Sequence, residues 1–145
     1  MDGSVSVSDC DAALERRLIE QWTARFPDVH RCMHLDNGFA VVALDNDAVV
    51  GALSVEWRSL PIPAHDVREA FIDLIEVLPL YRRRGIASRM VERASTWARD
   101  DGAYQIRAWS SDDKTEAFAM WFRLGFALCP AVEETIRGMY VAKRL

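Results

Sequence analysis

A chain of 145 residues, 50% hydrophobic and 28% charged, has the composition of a globular domain and a length that suits one core. Five Trp, six Phe and three Tyr argue against disorder, no apolar run approaches the roughly 20 residues that cross a bilayer, and a net charge of −4 repels nucleic acid while drawing cationic small molecules. Cys10, Cys32 and Cys129 are odd in number and far apart, which fits reduced thiols, and the residues from Met1 to Val5 lack the pattern of a secretory signal, so a soluble cytoplasmic protein is expected.

In chain order, Ser4 to Val7 suggests a short strand, and Ser8-x-x-Asp11 has the form of a capping box opening a helix with Leu14, Leu18, Trp22 and Phe26 on one stripe and Pro27 at its end. His30-Arg-Cys32-Met-His34 alternates three metal-ligating side chains, but without a partner motif an ordinary loop or helix end is the better account, and no metal is expected. Phe39 to Leu44, turn chemistry at Asp45 to Asp47, and Ala48 to Trp57 predict an antiparallel hairpin. Pro61 and Pro63 mark a loop carrying His65 and leading to a strand that begins near Glu69 and reaches Val77.

Ile86, Met90, Ala94, Trp97 and Ala98 recur at helical spacing, with Gly102 as the stop. Tyr104 to Trp109 reads as a strand and Ser110 to Asp113 as candidate N-cap residues. Ala117, Phe118, Trp121 and Leu124 then form a helical stripe closed by Gly125, followed by a strand from Phe126 to Cys129 that Pro130 interrupts and a last strand from Arg137 to Ala142. The pattern has no repeat, low-complexity tract or linker, and predicts a single α/β domain over residues 1–145.

The junction after Val77 carries the most chemistry. Leu78, Pro79, Leu80 and Tyr81 lead into Arg82-Arg83-Arg84-Gly85-Ile86-Ala87-Ser88, so a strand passes through an arginine-rich loop into a helix. Backbone N–H groups at a helix N-terminus, the helix dipole and guanidinium groups together favour a polyanion, and a pyrophosphate-bearing cofactor is the guest this suggests. Gly85 and Ala87 keep small residues where a phosphate must approach the backbone, and Ser88 adds a hydroxyl in the first turn. A solvated charge run ahead of an ordinary helix is the plainer reading of the same arginines.

This stretch resembles the acetyl-CoA-binding signature of the GNAT superfamily of N-acetyltransferases, Arg/Gln-x-x-Gly-x-Gly/Ala, with Arg82, Gly85 and Ala87 matching. Ala117 to Phe126, ending Leu124-Gly125-Phe126, is similar to the family's second cofactor motif, so the resemblance spans about Phe39 to Phe126. It implies a mixed, mostly antiparallel sheet splayed between its fourth and fifth strands, with flanking helices. It also implies acetyl-CoA as acyl donor, held by the backbone of Val77 and Leu78 and by a cradle from Arg82 through Arg83, Arg84, Gly85, Ile86 and Ala87 to Ser88. The implied reaction is direct acyl transfer to an amine without a covalent enzyme intermediate. Where the second motif usually carries a Tyr able to protonate the thiolate, this chain has Trp121, whose indole N–H donates a hydrogen bond but not a proton. The motif's usual Asn falls on Lys114.

An ammonium substrate must lose a proton before it attacks, so a carboxylate base is sought. Strand alternation puts Asp73 on the face of Ile75 and Val77, and family members often carry a carboxylate near this position, which makes Asp73 the expected base or water anchor. Its plainer role is an ion pair at the sheet face. Glu76, on the opposite face, is expected to pair with an Arg of the following helix, Glu69 to lie in solvent, and Glu56 to be able to reach the substrate mouth. His65 is expected to be an ordinary surface residue and Cys129 a buried small apolar one, not a nucleophile. The expected partner is a small, cationic primary amine, with no nucleic acid or membrane. The resemblance also raises a homodimer, for which no stripe identifies an interface. A non-catalytic acyl-CoA-binding module of the same fold is the alternative, supported by Trp121, and a different phosphate-binding protein is a second, opposed by the missing Gly-Lys-Ser/Thr.

Overall fold

The computed structural model describes residues 4–111, 115–130 and 138–145. Its strands hydrogen-bond in the order β1-β2-β3-β4-β5-β7-β6 as one mixed sheet, with the β4–β5 pair parallel and the other described pairs antiparallel. The chain divides into two compact units, the first made of residues 1–56 and 73–94, the second of residues 57–72 and 95–145.

In the first unit, β1 (Val5–Asp9) pairs with β2 (Gly38–Asp45), which pairs in turn with β3 (Ala48–Ser59) across a turn in which Asn46 takes a positive φ of 53°. Helix α1 (Ala12–Trp22) starts at Asp11, whose carboxylate accepts the Leu14 N–H at 2.8 Å; Ser8 lies within β1, so the cap is three residues later than the box pattern predicts. The helix ends at Trp22 and the chain turns before Pro27, with the Phe26 N–H bonded to the Trp22 carbonyl at 2.7 Å. Leu18, Trp22, Val42, Val49 and Ala52 form a buried cluster, ringed by Phe26, Met33, Leu35 and Leu74. The Trp22 indole N–H donates to the Val49 carbonyl at 2.9 Å, and the Gln21 side chain bonds Val49 N–H and the Asp47 carbonyl, so α1 is tied to the start of β3 as well as packed on it. Gly51 faces elsewhere: a Cβ there would stand 3.2 Å from Met90 and 3.4 Å from Ile86, so its absence lets the first turns of α2 (Ile86–Asp100) lie close on the strand.

In the second unit, β4 (Arg68–Val77) runs parallel to β5 (Gln105–Ser111) from Glu69 opposite Gln105 to Ile72 opposite Ala108, one residue before Asp73. β5 pairs with β7 (Gly138–Arg144), and β7 with β6 (Ala127–Pro130). Helices α2 and α3 (Thr115–Arg123) stop as the glycines predict: at Gly102 and Gly125, with φ of 84° and 87°, the next residue's N–H reaches back to Ala98 and Trp121 carbonyls. Candidate cap residues Asp112 and Asp113, and Arg137 of the last predicted strand, lie outside the described residues.

Glu69 departs from expectation. It is 2% exposed, not solvated, and takes both Nε and Nη2 of Arg107, at 3.0 and 2.7 Å, with Gln105 at 2.8 Å. The Arg107 guanidinium lies 4.9 Å from the Phe71 ring and 4.6 Å from that of Tyr140. Burial alone would push the Glu69 carboxyl up, but the hydrogen bonds of Arg107 and Gln105, then the charges of Arg107 and Arg58, hold it below the ordinary carboxylate value. A carboxyl lowered by folding stabilises at pH above its unfolded value, about 4.3, and that contribution is lost as pH falls through the folded value. Urea unfolding between pH 7 and pH 3 is therefore expected to show Glu69→Gln less stable at neutrality, by about 2 kcal/mol, with a flatter acid limb than the parent. Parallel curves would contradict this.

Candidate active site

The first unit assembles a compact set of ionisable groups around the second half of β4. The strand is buried from Glu69 to Ile72, and Asp73 is its first exposed residue. Asp73 Oδ2 lies 2.7 Å from His34 Nε2, and His34 Nδ1 lies 3.5 Å from Glu56 Oε2, with the three side chains only 17 to 32% exposed. A carboxylate and an imidazole nitrogen at 2.7 Å must share a proton, so the Nε2–H donates to Asp73.

Local backbone constraints bring His34 there. It follows a 3-10 turn (Val29–Cys32), and its carbonyl accepts the Asn37 N–H at 3.0 Å before β2 begins at Gly38. Gly38 sits opposite Glu56 in the β2–β3 ladder, and a Cβ on it would stand 1.8 Å from the Val55 carbonyl oxygen and 2.9 Å from that of His34. Only glycine lets this turn press onto β3, which sets the imidazole beside Glu56. The sequence marked His34 only as one of three alternating ligands. Among the described residues no group of three or more His, Cys, Asp or Glu side chains is arranged to hold a metal.

The neighbouring Cys32 thiol is pushed above its ordinary value, first by burial and then by the charges of Asp73 and Asp28, which keeps it protonated and a poor nucleophile. Cys10 is buried and raised to about 12, by burial first and then by Glu15 and Asp11.

The arginine loop lies between two anchors. At its start, a 3-10 turn (Pro79–Tyr81) is fixed by the Leu78 N–H to the Val50 carbonyl at 2.9 Å, the Tyr81 N–H to the Leu78 carbonyl at 2.9 Å, and the Tyr81 hydroxyl to Asp45 at 2.5 Å. At its end, Ile86 and Met90 are buried at the head of α2. Between them Arg83 and Gly85 both take left-handed backbone, with φ of 64° and 75°, a conformation that turns successive N–H groups toward one side. The Arg89 N–H to Gly85 carbonyl bond at 3.1 Å begins the helix, so the N–H groups of Ile86, Ala87 and Ser88 precede its ladder. A Cβ on Gly85 would meet nothing within 4 Å, so packing does not require glycine there; the conformation does, and the space beside it is open.

Arg82 folds back on the strand it leaves: its Nε donates to the Val77 carbonyl at 2.9 Å and its Nη2 to Glu76 at 2.8 Å. Glu76 thus pairs with the loop's own arginine rather than with one of the following helix, because the 3-10 turn reverses the chain within six residues. Leu78 has both backbone groups engaged, with Val50 and Tyr81.

In the second unit, Trp121 is 2% exposed, its ring 4.8 Å from that of Phe126, and its indole nitrogen is buried with no hydrogen-bond partner among the described residues. Lys114 lies outside the described residues. Cys129 is exposed rather than buried.

Comparisons with known proteins agree with these motifs. Residues 8–126 match the model of the acetyltransferase (GNAT) family. A segment covering 52% of the chain is 36% identical over 76 residues to an aminoglycoside N(6')-acetyltransferase type 1 of Acinetobacter genomosp. 13, and one covering 61% is 27% identical over 88 residues to the N-alpha-acetyltransferase 30 of Schizosaccharomyces pombe. The match spans about half the length of these relatives, 48% and 57%. Among solved structures, Arabidopsis thaliana Naa50 in complex with a bisubstrate analogue superposes with a TM-score of 0.74 at 19% identity, covering 98% of this chain and 99% of that one. A GNAT family acetyltransferase from Elizabethkingia anophelis with acetyl-CoA bound gives 0.69 at 14% identity, covering 99% of each chain. At these identities the structures establish the shared fold. With the family model matching most of its length, the chain belongs to the GNAT acetyltransferase family.

The three thiols should differ sharply in reactivity. Iodoacetamide at pH 8, followed by mass spectrometry, is expected to modify Cys129 first, Cys32 slowly and Cys10 only after denaturation; fast labelling of Cys10 in the folded protein would contradict its burial.

Proposed function

We propose that the chain transfers an acetyl group from acetyl-CoA to a primary amine by direct attack. The observation that carries this reading is the loop at Gly85: left-handed backbone at 83 and 85, a helix N-terminus, and open space where a Cβ would stand. That arrangement suits a diphosphate, and arginines 82 to 84 supply local positive charge on an acidic chain. Acetyl-CoA would supply the thioester carbonyl. Backbone N–H groups from Arg83 to Ser88 would hold the diphosphate, with Ile86 keeping the first turn of α2 in place from beneath. Arg82 braces the loop through Val77 and Glu76. The pantetheine arm would lie along the backbone of Val77 and Leu78, where the Val77 carbonyl already accepts from Arg82 and Leu78 is bonded to Val50 and Tyr81.

Asp73 acts as base: with Oδ2 bonded to His34, its other oxygen takes a proton from the substrate ammonium, directly or through a water. The freed amine nitrogen then forms its bond to the acetyl carbon as the carbon–sulfur bond breaks. The sulfur leaves as the CoA thiolate with the electron pair of that bond, and the nitrogen's surplus proton passes through water to the thiolate. The carboxylates of Asp73 and Glu56 and the net charge of −4 favour a small cationic amine, and the names of the matched relatives, an aminoglycoside N(6')-acetyltransferase and an N-alpha-acetyltransferase, support amines as the class. Among the described residues no helix is long and apolar enough to cross a membrane, and three free cysteines fit a reducing, cytoplasmic compartment. The second reading, an acyl-CoA-binding module without turnover, draws on the buried Trp121 at the position of the usual Tyr.

Thiol release from acetyl-CoA across an amine panel tests both. Turnover is expected with at least one cationic amine, and Asp73→Asn is expected to lower kcat about 100-fold or more with the KM for acetyl-CoA unchanged. Acetyl-CoA binding with no turnover on any amine would favour the second reading. Gly85→Ala strains the left-handed backbone of the loop and places a methyl group in its open space, and titration calorimetry is expected to show at least about tenfold weaker acetyl-CoA binding from a protein that melts a few degrees earlier. Unchanged affinity would remove the loop from cofactor binding.

A further inference from the structure

The sequence marks His34 only as one of three alternating metal-ligating side chains, yet its Nε2 lies 2.7 Å from Asp73 Oδ2. We propose that His34 is a positioning residue for the base, holding the Asp73 carboxylate by one oxygen so that the other faces the amine; this rests on the assignment of Asp73 above. A carboxylate on a strand rotates about two side-chain torsions, and each orientation other than the productive one lowers the fraction of enzyme ready to accept a proton. The imidazole removes that freedom. Its Nε2–H occupies Oδ2 at 2.7 Å, its Nδ1 faces Glu56 at 3.5 Å, and its backbone sits in the turn that Gly38 presses onto β3. Ring and carboxylate are therefore set by β2, β3 and β4 together rather than by a mobile surface chain. Glu56 flanks the ring on its far side, its Oε2 3.5 Å from Nδ1.

His34 does not itself take the substrate proton: its Nε2 already carries the hydrogen given to Asp73. The role differs from that of a structural ion pair in a way that can be measured. If His34 acts only through Asp73, its removal matters only while Asp73 is a carboxylate.

The experiment is a double-mutant cycle on kcat with acetyl-CoA and the best amine of the panel, using His34→Ala, Asp73→Asn and the double variant. A second variant, His34→Gln, keeps an N–H donor near the position of Nε2. His34→Ala is expected to lower kcat roughly 10- to 100-fold with the KM for acetyl-CoA within about twofold. His34→Gln is expected to restore most of that loss, and His34→Ala is expected to cost less than about twofold when Asp73 is already Asn. Equal losses from His34→Ala in both backgrounds, or unchanged kcat in His34→Ala while Asp73→Asn is impaired, would overturn the positioning role and leave Asp73 as the base. Unchanged kcat in Asp73→Asn would overturn the base assignment and this inference with it. A readout independent of turnover is the ¹⁵N spectrum of the imidazole at pH 8, where Nε2 is expected to carry a proton and its resonance to move in Asp73→Asn; a bare Nε2 would overturn the proposal.

Discussion

The structure depends on a change of character along one strand. From Glu69 to Ile72, β4 is buried and laddered to β5, and at Asp73 the ladder has ended and the side chain meets solvent. The buried part is held by a carboxylate that would be costly to bury without Arg107 and Gln105, and by Phe71, with the guanidinium groups of Arg58 and Arg107 3.7 and 4.9 Å from its ring. The open part presents Asp73 and then, past Val77, the loop of arginines. The buried part of the strand thus ends where an accessible carboxylate begins.

The loop separates two jobs that the sequence merges. Three consecutive arginines look equivalent on the page, but Arg82 turns back to Glu76 and the Val77 carbonyl, while Arg84 lies 5.1 Å over the Tyr81 ring, which is itself tied to Asp45. Bracing the loop and meeting an anion are different demands, and the internal contacts answer the first. In the proposed reading, anion binding would fall chiefly to the backbone, whose N–H groups are oriented by the left-handed residues and by the helix start, so it would depend on conformation at Gly85 as much as on side-chain charge.

What was legible in the sequence was local. The hairpin around Asn46, the helix stops at Gly102 and Gly125 and the loop at Gly85 each follow from a residue whose backbone preference acts within a few positions, and each stands in the structure. The residues read less well are those whose surroundings come from afar. Glu69 reads as a surface carboxylate until Arg107, from the next strand, closes on it, and His34 meets Asp73 across 39 residues. The helix cap fell on Asp11 rather than Ser8 because β1 extends to Asp9 to pair with Val41. A signal for His34 did exist in Gly38: a glycine just before an apolar strand suggests close approach of two backbones, and that approach carries the imidazole to Glu56.

The central claim is that this loop holds the diphosphate of acetyl-CoA. Amide ¹H–¹⁵N spectra of the full chain titrated with acetyl-CoA test it residue by residue. The account predicts saturable shifts that are largest from Arg83 to Ser88, where the N–H groups meet the phosphate oxygens. Saturation of the protein with the largest shifts elsewhere, or no shift in that loop at any concentration, would contradict it.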